Sequence, residues 1–382
     1  MIRLVADLRS DGPLAVGLDH PWMRKRVSIS TMSKVQVKML AEEGRFGGKN
    51  LVSSARTRVV AVTGAGSFLG KNLIGLLEED PRVARIVALD IRPPSTAGVK
   101  TRYYEVDFSH ATSEQRVAEI FSAERVQSLV HVAFLSHPTH ATGWAHELES
   151  VGTMQVLHAA RQAGVSKLVH WSQTLLYGAR PSNPNFLSED HPLLAPADYS
   201  FFHDKIEAEK EAARFAQHPD TIVTILRTAP ILGPTIRNYM SRFLSRRIIP
   251  TLMGFDPLWQ LTHEVDAVSA FKLAIDKDVP GTFNIVSDGV LPLSTIIRLA
   301  GRVSLPIPHP LAYPLAGALW LAQVSNTPVG FLDYLRYLCV ADGQRAVERM
   351  GFRPTYSARE ALMDFASAQH LRDVRLLNDG AS

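Results

Sequence analysis

A glycine-rich stretch placed directly after an apolar run constrains the fold of this chain most. It reads VVAVTGAGSFLG, from Val59 to Gly70. The run Val59–Thr63 is short and β-branched, which is typical of a buried parallel strand, and a helical pattern follows the glycines. Gly64 permits a tight turn off the strand, Gly66 lets a phosphate group approach the backbone, and Gly70 allows close contact between helix and strand. The stretch therefore predicts a strand, a phosphate-binding turn and a helix.

The same alternation of strands and helices continues along the chain. A helix over Leu69–Glu78 is followed by further apolar runs, most of them separated by helical patterns. This order predicts an α/β fold, a Rossmann-type doubly wound parallel sheet with right-handed crossovers. The predicted strands are Val59–Thr63, Arg85–Asp90, Tyr103–Asp107, Leu129–Phe134, Lys167–Ser172 and Thr221–Arg227.

Charge and regularity divide the chain into three parts. Residues 1–57 hold ten Lys/Arg against five Asp/Glu, whereas the remainder holds 31 against 32. We interpret residues 1–57 as a flexible N-terminal extension with one short helix around Ser33–Glu43. Three explanations fit this segment: a partly disordered arm, a start codon assigned too far upstream, or a basic docking segment. Residues 58–232 are predicted to form the nucleotide-binding core. Residues 233–382 are predicted to be mainly a substrate-binding or lid region, with some segments returning to the core sheet.

Composition excludes several classes of protein. The formal charge of +4 comes from the N-terminal extension, so the folded body lacks the basic surface of a nucleic-acid binder. The single cysteine, Cys339, excludes an internal disulfide framework and a Cys-rich zinc site. The start of the chain shows no signal-peptide pattern. We expect a cytoplasmic protein with a small-molecule substrate, no nucleic-acid partner and no metal site; a homodimer is compatible with the sequence.

An acidic residue at the end of the second predicted strand indicates which dinucleotide binds. Asp90 follows Gly64 by 26 residues, and a carboxylate there accepts both ribose hydroxyls of adenosine and repels a 2′-phosphate. This favours NAD over NADP. Arg92 points the other way, because it could pair with such a phosphate. Asp107, also at a strand end, is a candidate contact for the adenine.

The segment Val303–Leu332 contains no Asp, Glu, Lys or Arg. Its most apolar part, Leu311–Val324, is shorter than the roughly 20 residues that a membrane-spanning helix requires, and prolines interrupt its start. We therefore expect no stable membrane insertion. A lid over a substrate pocket or packing against the sheet fits best, and peripheral membrane contact is the alternative.

Several motifs resemble those of one family. TGAGSFLG is similar to the TGxxGF(I/L)G loop of the extended short-chain dehydrogenases/reductases, the NAD-dependent epimerase/dehydratase group, with Ser67 where a glycine is usual. The likeness covers roughly residues 58–366 and is closest to bacterial proteins labelled UDP-glucose 4-epimerase-like. Further matching segments are His131–Ala133, Leu176–Gly178, Leu226–Pro234, His263–Asp266, Gly281–Asp288 and Asp342–Pro354.

The resemblance implies a catalytic Tyr and a Lys four residues later on one helix face, and two registers compete for them. In the first, Tyr199 is paired with His203, which is mostly neutral near pH 7. In the second, which keeps the lysine, Lys205 takes its family position and Phe201 occupies the usual place of the tyrosine. We favour the second register, although phenylalanine cannot act as an acid or a base.

Two further positions depart from the family pattern. Counting four residues back from Tyr177 gives Gln173, where the family has a catalytic Ser or Thr. The flanking hydroxyl of Ser172 or of Thr174 could take this role after a small shift, and Gln173 could itself hold a substrate oxygen by a hydrogen bond. Glu149 stands where an asparagine is usual. These departures predict either modified acid/base chemistry, with Tyr199, His203 or Glu149 carrying protons, or NAD binding without turnover.

The resemblance implies an NAD-dependent oxidoreductase that acts on a hydroxyl of a nucleotide sugar or of a more apolar alcohol. A non-catalytic NAD-binding or interaction protein on the same fold is the alternative. The uncharged segment Val303–Leu332 favours a lipid-like alcohol over a diphosphate substrate. Five arginines that could grip a diphosphate favour the nucleotide sugar instead: Arg227, Arg237, Arg242, Arg246 and Arg247. The predicted cofactor contacts are Gly64, Gly66, Ser67, Phe68, Leu69, Gly70, Asp90, Arg92, Asp107, Ala133 and Lys205.

Overall fold

The computed structural model describes residues 57–196, 199–218 and 220–379. The predictions for the N-terminal extension, including the helix around Ser33–Glu43, lie outside the described residues apart from Thr57. Within the described residues the strands are β1 (Arg58–Thr63), β2 (Val83–Asp90), β3 (Thr101–Glu105), β4 (Ser128–His131), β5 (Lys167–Gln173), β6 (Ile222–Thr228), β7 (Ile231–Leu232), β8 (Ile248–Leu252), β9 (Leu258–Trp259), β10 (Thr262–His263), β11 (Gly281–Ile285), β12 (Leu291–Pro292) and β13 (Val303–Ile307).

Helices follow most of the long strands. In the same residues they are α1 (Phe68–Glu79), α2 (Ser113–Glu124), α3 (Thr142–His146), α4 (Gly152–Gln162), α5 (Ser200–Phe215), α6 (Tyr239–Ser245), α7 (Glu264–Asp276), α8 (Leu293–Leu299), α9 (His309–Leu321) and α10 (Ala358–Asp379). A wider helical turn, Glu147–Val151, joins α3 to α4. None of these helices is long and apolar enough to cross a membrane.

Seven strands form one parallel sheet in the order β11-β6-β5-β4-β1-β2-β3. The predicted α/β fold with a Rossmann-type doubly wound sheet is confirmed. The strand predicted to reach Phe134 already ends at His131, and the segment after it lines a cleft. The edge strand β11 and the helix α7 belong to the C-terminal part of the chain and return to the core sheet.

The two faces of the sheet bury separate apolar layers because successive side chains of a strand point to opposite faces. On β1, Val60 and Val62 pack with α1 and α7, whereas Ala61 packs on the other face with α2, α4 and α5. A third apolar cluster joins α6, α8, α9 and α10 beside the sheet. Because the seven strands are parallel, their carboxyl ends meet at one edge of the sheet.

Candidate functional site

The glycine-rich turn after β1 has the geometry that its sequence predicts. Gly64 has a φ of +67°, and a Cβ there would lie 2.6 Å from the carbonyl oxygen of Val132. A Cβ at Gly70 would collide with the carbonyl oxygen of Gly64. Both positions therefore require glycine for reasons internal to the fold.

Gly66 is different, because the surrounding protein leaves room for a side chain. The nearest atoms to a Cβ built there are the carbonyl oxygen of Arg92 and Oδ2 of Asp90, both at 3.5 Å. The neighbouring Ser67 caps α1, and its Oγ accepts a 3.0 Å hydrogen bond from the Gly70 amide. A bare backbone beside the start of a helix suits close approach by a pyrophosphate.

The glycine turn opens onto a cleft of about 610 Å³ at the carboxyl edge of the sheet, which we call the cofactor cleft. Gly70 and Lys205 are not among the described residues that form its wall. The other predicted cofactor contacts all line it: Gly64, Gly66, Ser67, Phe68, Leu69, Asp90, Arg92, Asp107 and Ala133.

The carboxylate of Asp90 is oriented by backbone amides at the rim of this cleft. Its Oδ2 accepts a 2.9 Å hydrogen bond from the Gly66 N–H, and its Oδ1 accepts one of 2.7 Å from the Ile91 N–H. Each oxygen keeps a further lone pair for a ligand hydroxyl. The glycine turn and this acidic strand end together fit the pyrophosphate and the ribose of an adenosine dinucleotide.

Lys205 forms a buried ion pair with Glu149. The lysine Nζ lies 2.6 Å and 2.8 Å from the two carboxylate oxygens, and both side chains are at most 4% exposed. The Leu135 amide donates a further 2.6 Å hydrogen bond to Glu149. Burial raises the pKa of Glu149, although the Lys205 ammonium opposes that shift. The ammonium also stands over the Phe201 ring, 4.0 Å from its centroid.

The three polar residues at the end of β5 face different surroundings. Ser172 donates a hydrogen bond to Glu209, which also pairs with Arg227, so neither Ser172 nor Arg227 faces the cofactor cleft. Thr174 is buried. Gln173 does line the cleft, and its buried Oε1 has no hydrogen-bond partner among the described residues. Of the three, Gln173 is placed to meet a ligand.

Tyr199 and His203, the alternative catalytic pair, lie outside the wall of the cofactor cleft. Tyr199 packs against Gly330 and Pro196 at the start of α5. His203 is about half exposed and faces Asp204, which also accepts a 2.8 Å hydrogen bond from His146. Neither Tyr199 nor His203 is near enough to line the cleft, so a role for them in proton transfer stays a prediction.

A second cavity of about 560 Å³ adjoins the cofactor cleft; we call it the apolar cavity. Its wall is mostly aliphatic and aromatic, and α9 from the uncharged segment forms one side of it. Three residues line both spaces: His137, Pro230 and Tyr239. A ligand in the apolar cavity therefore meets a ligand in the cofactor cleft at these residues.

His137 and Tyr239 are the residues that sequence reasoning missed. Burial, helped by the nearby cations Arg242 and Lys205, lowers the pKa of His137, so its imidazole is neutral at pH 7. Burial raises the pKa of Tyr239, whose phenol therefore stays protonated. The Tyr239 ring is 6.2 Å from the Phe201 ring, centroid to centroid. His137 is the middle residue of a Ser-His-Pro sequence and Tyr239 follows Asn238, and neither position carries a motif that would have revealed it.

Residues 60–286, more than half of the chain, match the family model of the NAD dependent epimerase/dehydratase family. The chain belongs to that family. The resemblance seen in the sequence is thereby confirmed. Because the family is NAD-dependent, the cofactor is NAD, as the acidic residue at the end of β2 predicts. The chain is thus placed among the oxidoreductases of this family.

Individual proteins are similar to this chain over most of its length. An uncharacterized protein of Mycobacterium tuberculosis is 32% identical over 322 residues, which cover 83% of this chain and 85% of that protein. A 3-diazoavenalumate denitrifying reductase of a Streptomyces species is 26% identical over 310 residues, 78% of this chain and 96% of the reductase. The structure of UDP-glucose 4-epimerase with UDP-glucose from Thermotoga maritima has a TM-score of 0.65 at 17% identity and covers 83% of this chain and 99% of its own; it shows the shared fold.

Proposed function

We propose that this family member is an oxidoreductase that exchanges a hydride between NAD and the carbinol carbon of a predominantly apolar alcohol. One observation carries the proposal: the cofactor cleft and the apolar cavity share His137, Pro230 and Tyr239 in their walls. A substrate in the apolar cavity can therefore present its hydroxyl to the cofactor cleft at these three residues. When bound, NAD supplies the hydride acceptor or donor.

The residues of the chain must then move the hydroxyl proton, because Phe201 has no acidic group. The neutral His137 imidazole can accept that proton as the hydride leaves the carbon, and can return it in the reverse reaction. Its Nδ1 lies 3.1 Å from Oγ of Ser136, which fixes the ring and leaves Nε2 for the substrate. The protonated Tyr239 phenol can donate a hydrogen bond to the substrate oxygen.

Two arginines favour a nucleotide sugar as the competing substrate class. Arg242 and Arg246 line the apolar cavity, and a pair of guanidinium groups could hold a diphosphate. Arg227 does not support a nucleotide-sugar substrate, because it forms a buried ion pair with Glu209. The apolar character of the remaining wall leads us to prefer an apolar alcohol, with any anionic group of the substrate near the two arginines.

The combination of Phe201 with a Lys205 ammonium that is paired to Glu149 favours a second function, NAD binding without turnover. One experiment separates the two. The purified protein is titrated with NAD by calorimetry, and NADH formation is then followed in the presence of apolar alcohols and, separately, of nucleotide sugars. We expect NAD to bind and an apolar alcohol to reduce it. NAD binding with no turnover across both panels would establish the binding protein instead.

A further inference from the structure

The mouth of the apolar cavity is formed by side chains that also face outward. Leu315, Leu319 and Val324 line the cavity, yet they are 47%, 37% and 75% exposed. Arg242 and Arg246 line it as well and are also exposed. We call these five residues the cavity mouth. Large apolar side chains are thus presented at the entrance rather than buried in the wall.

The apolar surface extends beyond the mouth along α9. Leu311, Leu315 and Leu319 are spaced four residues apart, so they lie along one side of the helix. Leu311 is 61% exposed, and Leu321 at the end of the helix is 84% exposed. Single exposed leucines are ordinary on soluble proteins, but a continuous exposed series marks an interaction surface.

Two segments that contribute to the mouth carry charges of one sign. Residues 242–252 and 298–324 contain five arginines and no Asp or Glu: Arg242, Arg246, Arg247, Arg298 and Arg302. In the part of the chain that the structure describes, Arg242, Arg246 and Arg247 have no carboxylate within ion-pair distance. An apolar surface bordered by Arg242, Arg246 and Arg247 is complementary to a surface of apolar chains and anionic head groups.

We propose that the cavity mouth docks on the surface of an anionic phospholipid bilayer, with the exposed leucines of α9 in the interface and the arginines against the lipid phosphates. A second copy of this chain fits less well. In a two-fold contact the same patch meets itself, which would bring Arg242, Arg246 and Arg247 of the two copies, all of like charge, to one interface. The contact is peripheral, because no described helix spans a membrane.

Docking in this orientation opens the apolar cavity toward the lipid. An apolar alcohol dissolved in the bilayer could then enter between Leu315, Leu319 and Val324 without crossing water, and its hydroxyl would reach His137 and Tyr239. This route rests on the proposed function. The docking itself does not, since it depends only on the mouth and on α9.

The test is flotation of the full chain with vesicles of phosphatidylcholine, with and without phosphatidylglycerol, at low and high salt. Wild type is compared with Leu311→Glu/Leu321→Glu, whose side chains lie outside the cavity wall, and with Val99→Glu, a control at a fully exposed valine elsewhere. All three proteins keep the basic N-terminal extension, so its contribution is common to them. The variant Arg247→Ala, measured alongside, isolates the electrostatic contribution to vesicle binding.

We expect wild type and Val99→Glu to float with the anionic vesicles and the leucine variant to bind at least about tenfold less. Arg247→Ala should bind the anionic vesicles about fivefold more weakly, which is the contribution expected of one arginine near an anionic surface. Wild type that floats with neither vesicle, or a leucine variant that floats as well as wild type, would overturn the proposal. So would a dimer in sedimentation that the leucine substitutions dissociate. NAD titration of the same samples tests the proposed function separately.

Discussion

The ammonium of Lys205 lies 4.0 Å from the centroid of the Phe201 ring, one helical turn away on α5. The resemblance implies that a tyrosine should stand beside this cation, so that the charge lowers the pKa of the phenol. Here the ring has no hydroxyl and the cation is paired with Glu149 instead. The helix spacing of the family is kept, while the chemistry that the spacing serves is altered.

Phe201→Tyr should therefore restore a phenol next to Lys205. We expect a rise in the rate of NADH formation of roughly 10²–10⁴-fold if proton transfer limits turnover. Initial rates with an apolar alcohol measure the change, and Phe202→Tyr, the neighbouring buried ring, is the matched control. An unchanged rate in Phe201→Tyr would show that the proton already moves by another route.

The buried pair of Lys205 and Glu149 predicts a large effect on stability. Lys205→Ala leaves the Glu149 carboxylate buried without its cation, which should cost about 3–5 kcal/mol of the free energy of unfolding. The double variant Lys205→Met/Glu149→Gln removes both charges and should recover much of that loss. Urea unfolding measures both. Equal losses in the single and the double variant would mean that packing, not charge, is what Lys205 supplies.

The sequence was sufficient for the fold and for most of the cofactor cleft because those features depend on local patterns. The glycines after β1 and the acidic end of β2 lie within about thirty residues of each other. His137 and Tyr239 could not be found in this way, because they come from separate segments that only the folded chain brings together. The Lys205–Glu149 pair joins α5 to a helical turn 56 residues earlier, and no spacing rule connects the two.

Asp90 should determine the choice of cofactor. Asp90→Ala removes the acceptor for the ribose hydroxyls and should weaken NAD binding about tenfold or more, since charge-assisted hydrogen bonds contribute roughly 1.5–3 kcal/mol each. NADP binding should improve, because the repulsion is relieved. Calorimetric titration of both cofactors decides this, with Asp90→Asn as a control that retains an acceptor for the Gly66 amide. Equal wild-type affinity for NADP would assign the selectivity to Arg92.

Gln173 and Ser172 are adjacent but should respond oppositely to substitution. Gln173→Ala removes the side-chain oxygen in the cofactor cleft that has no hydrogen-bond partner within the described part of the chain, and it should weaken ligand binding with little change in melting temperature. Ser172→Ala removes a buried hydrogen bond to Glu209 and should lower the free energy of unfolding by about 1–3 kcal/mol while NAD binding is kept. Thermal melts and calorimetry on the same two proteins measure both quantities. The reverse pattern would place the ligand against Ser172.

His137 should set the pH dependence of turnover. A base must be deprotonated to accept the hydroxyl proton, so kcat/KM for alcohol oxidation should fall as pH drops through the pKa of His137. Because burial and the cations Arg242 and Lys205 lower that pKa, the fall should come below the usual histidine value of about 6.5. His137→Gln should abolish this limb and reduce the rate roughly 10²-fold or more. His203→Gln, a half-exposed histidine outside both cavities, is the control and should leave the profile unchanged. If His137→Gln keeps the wild-type profile while Tyr239→Phe removes it, the proton passes through the phenol of Tyr239 instead.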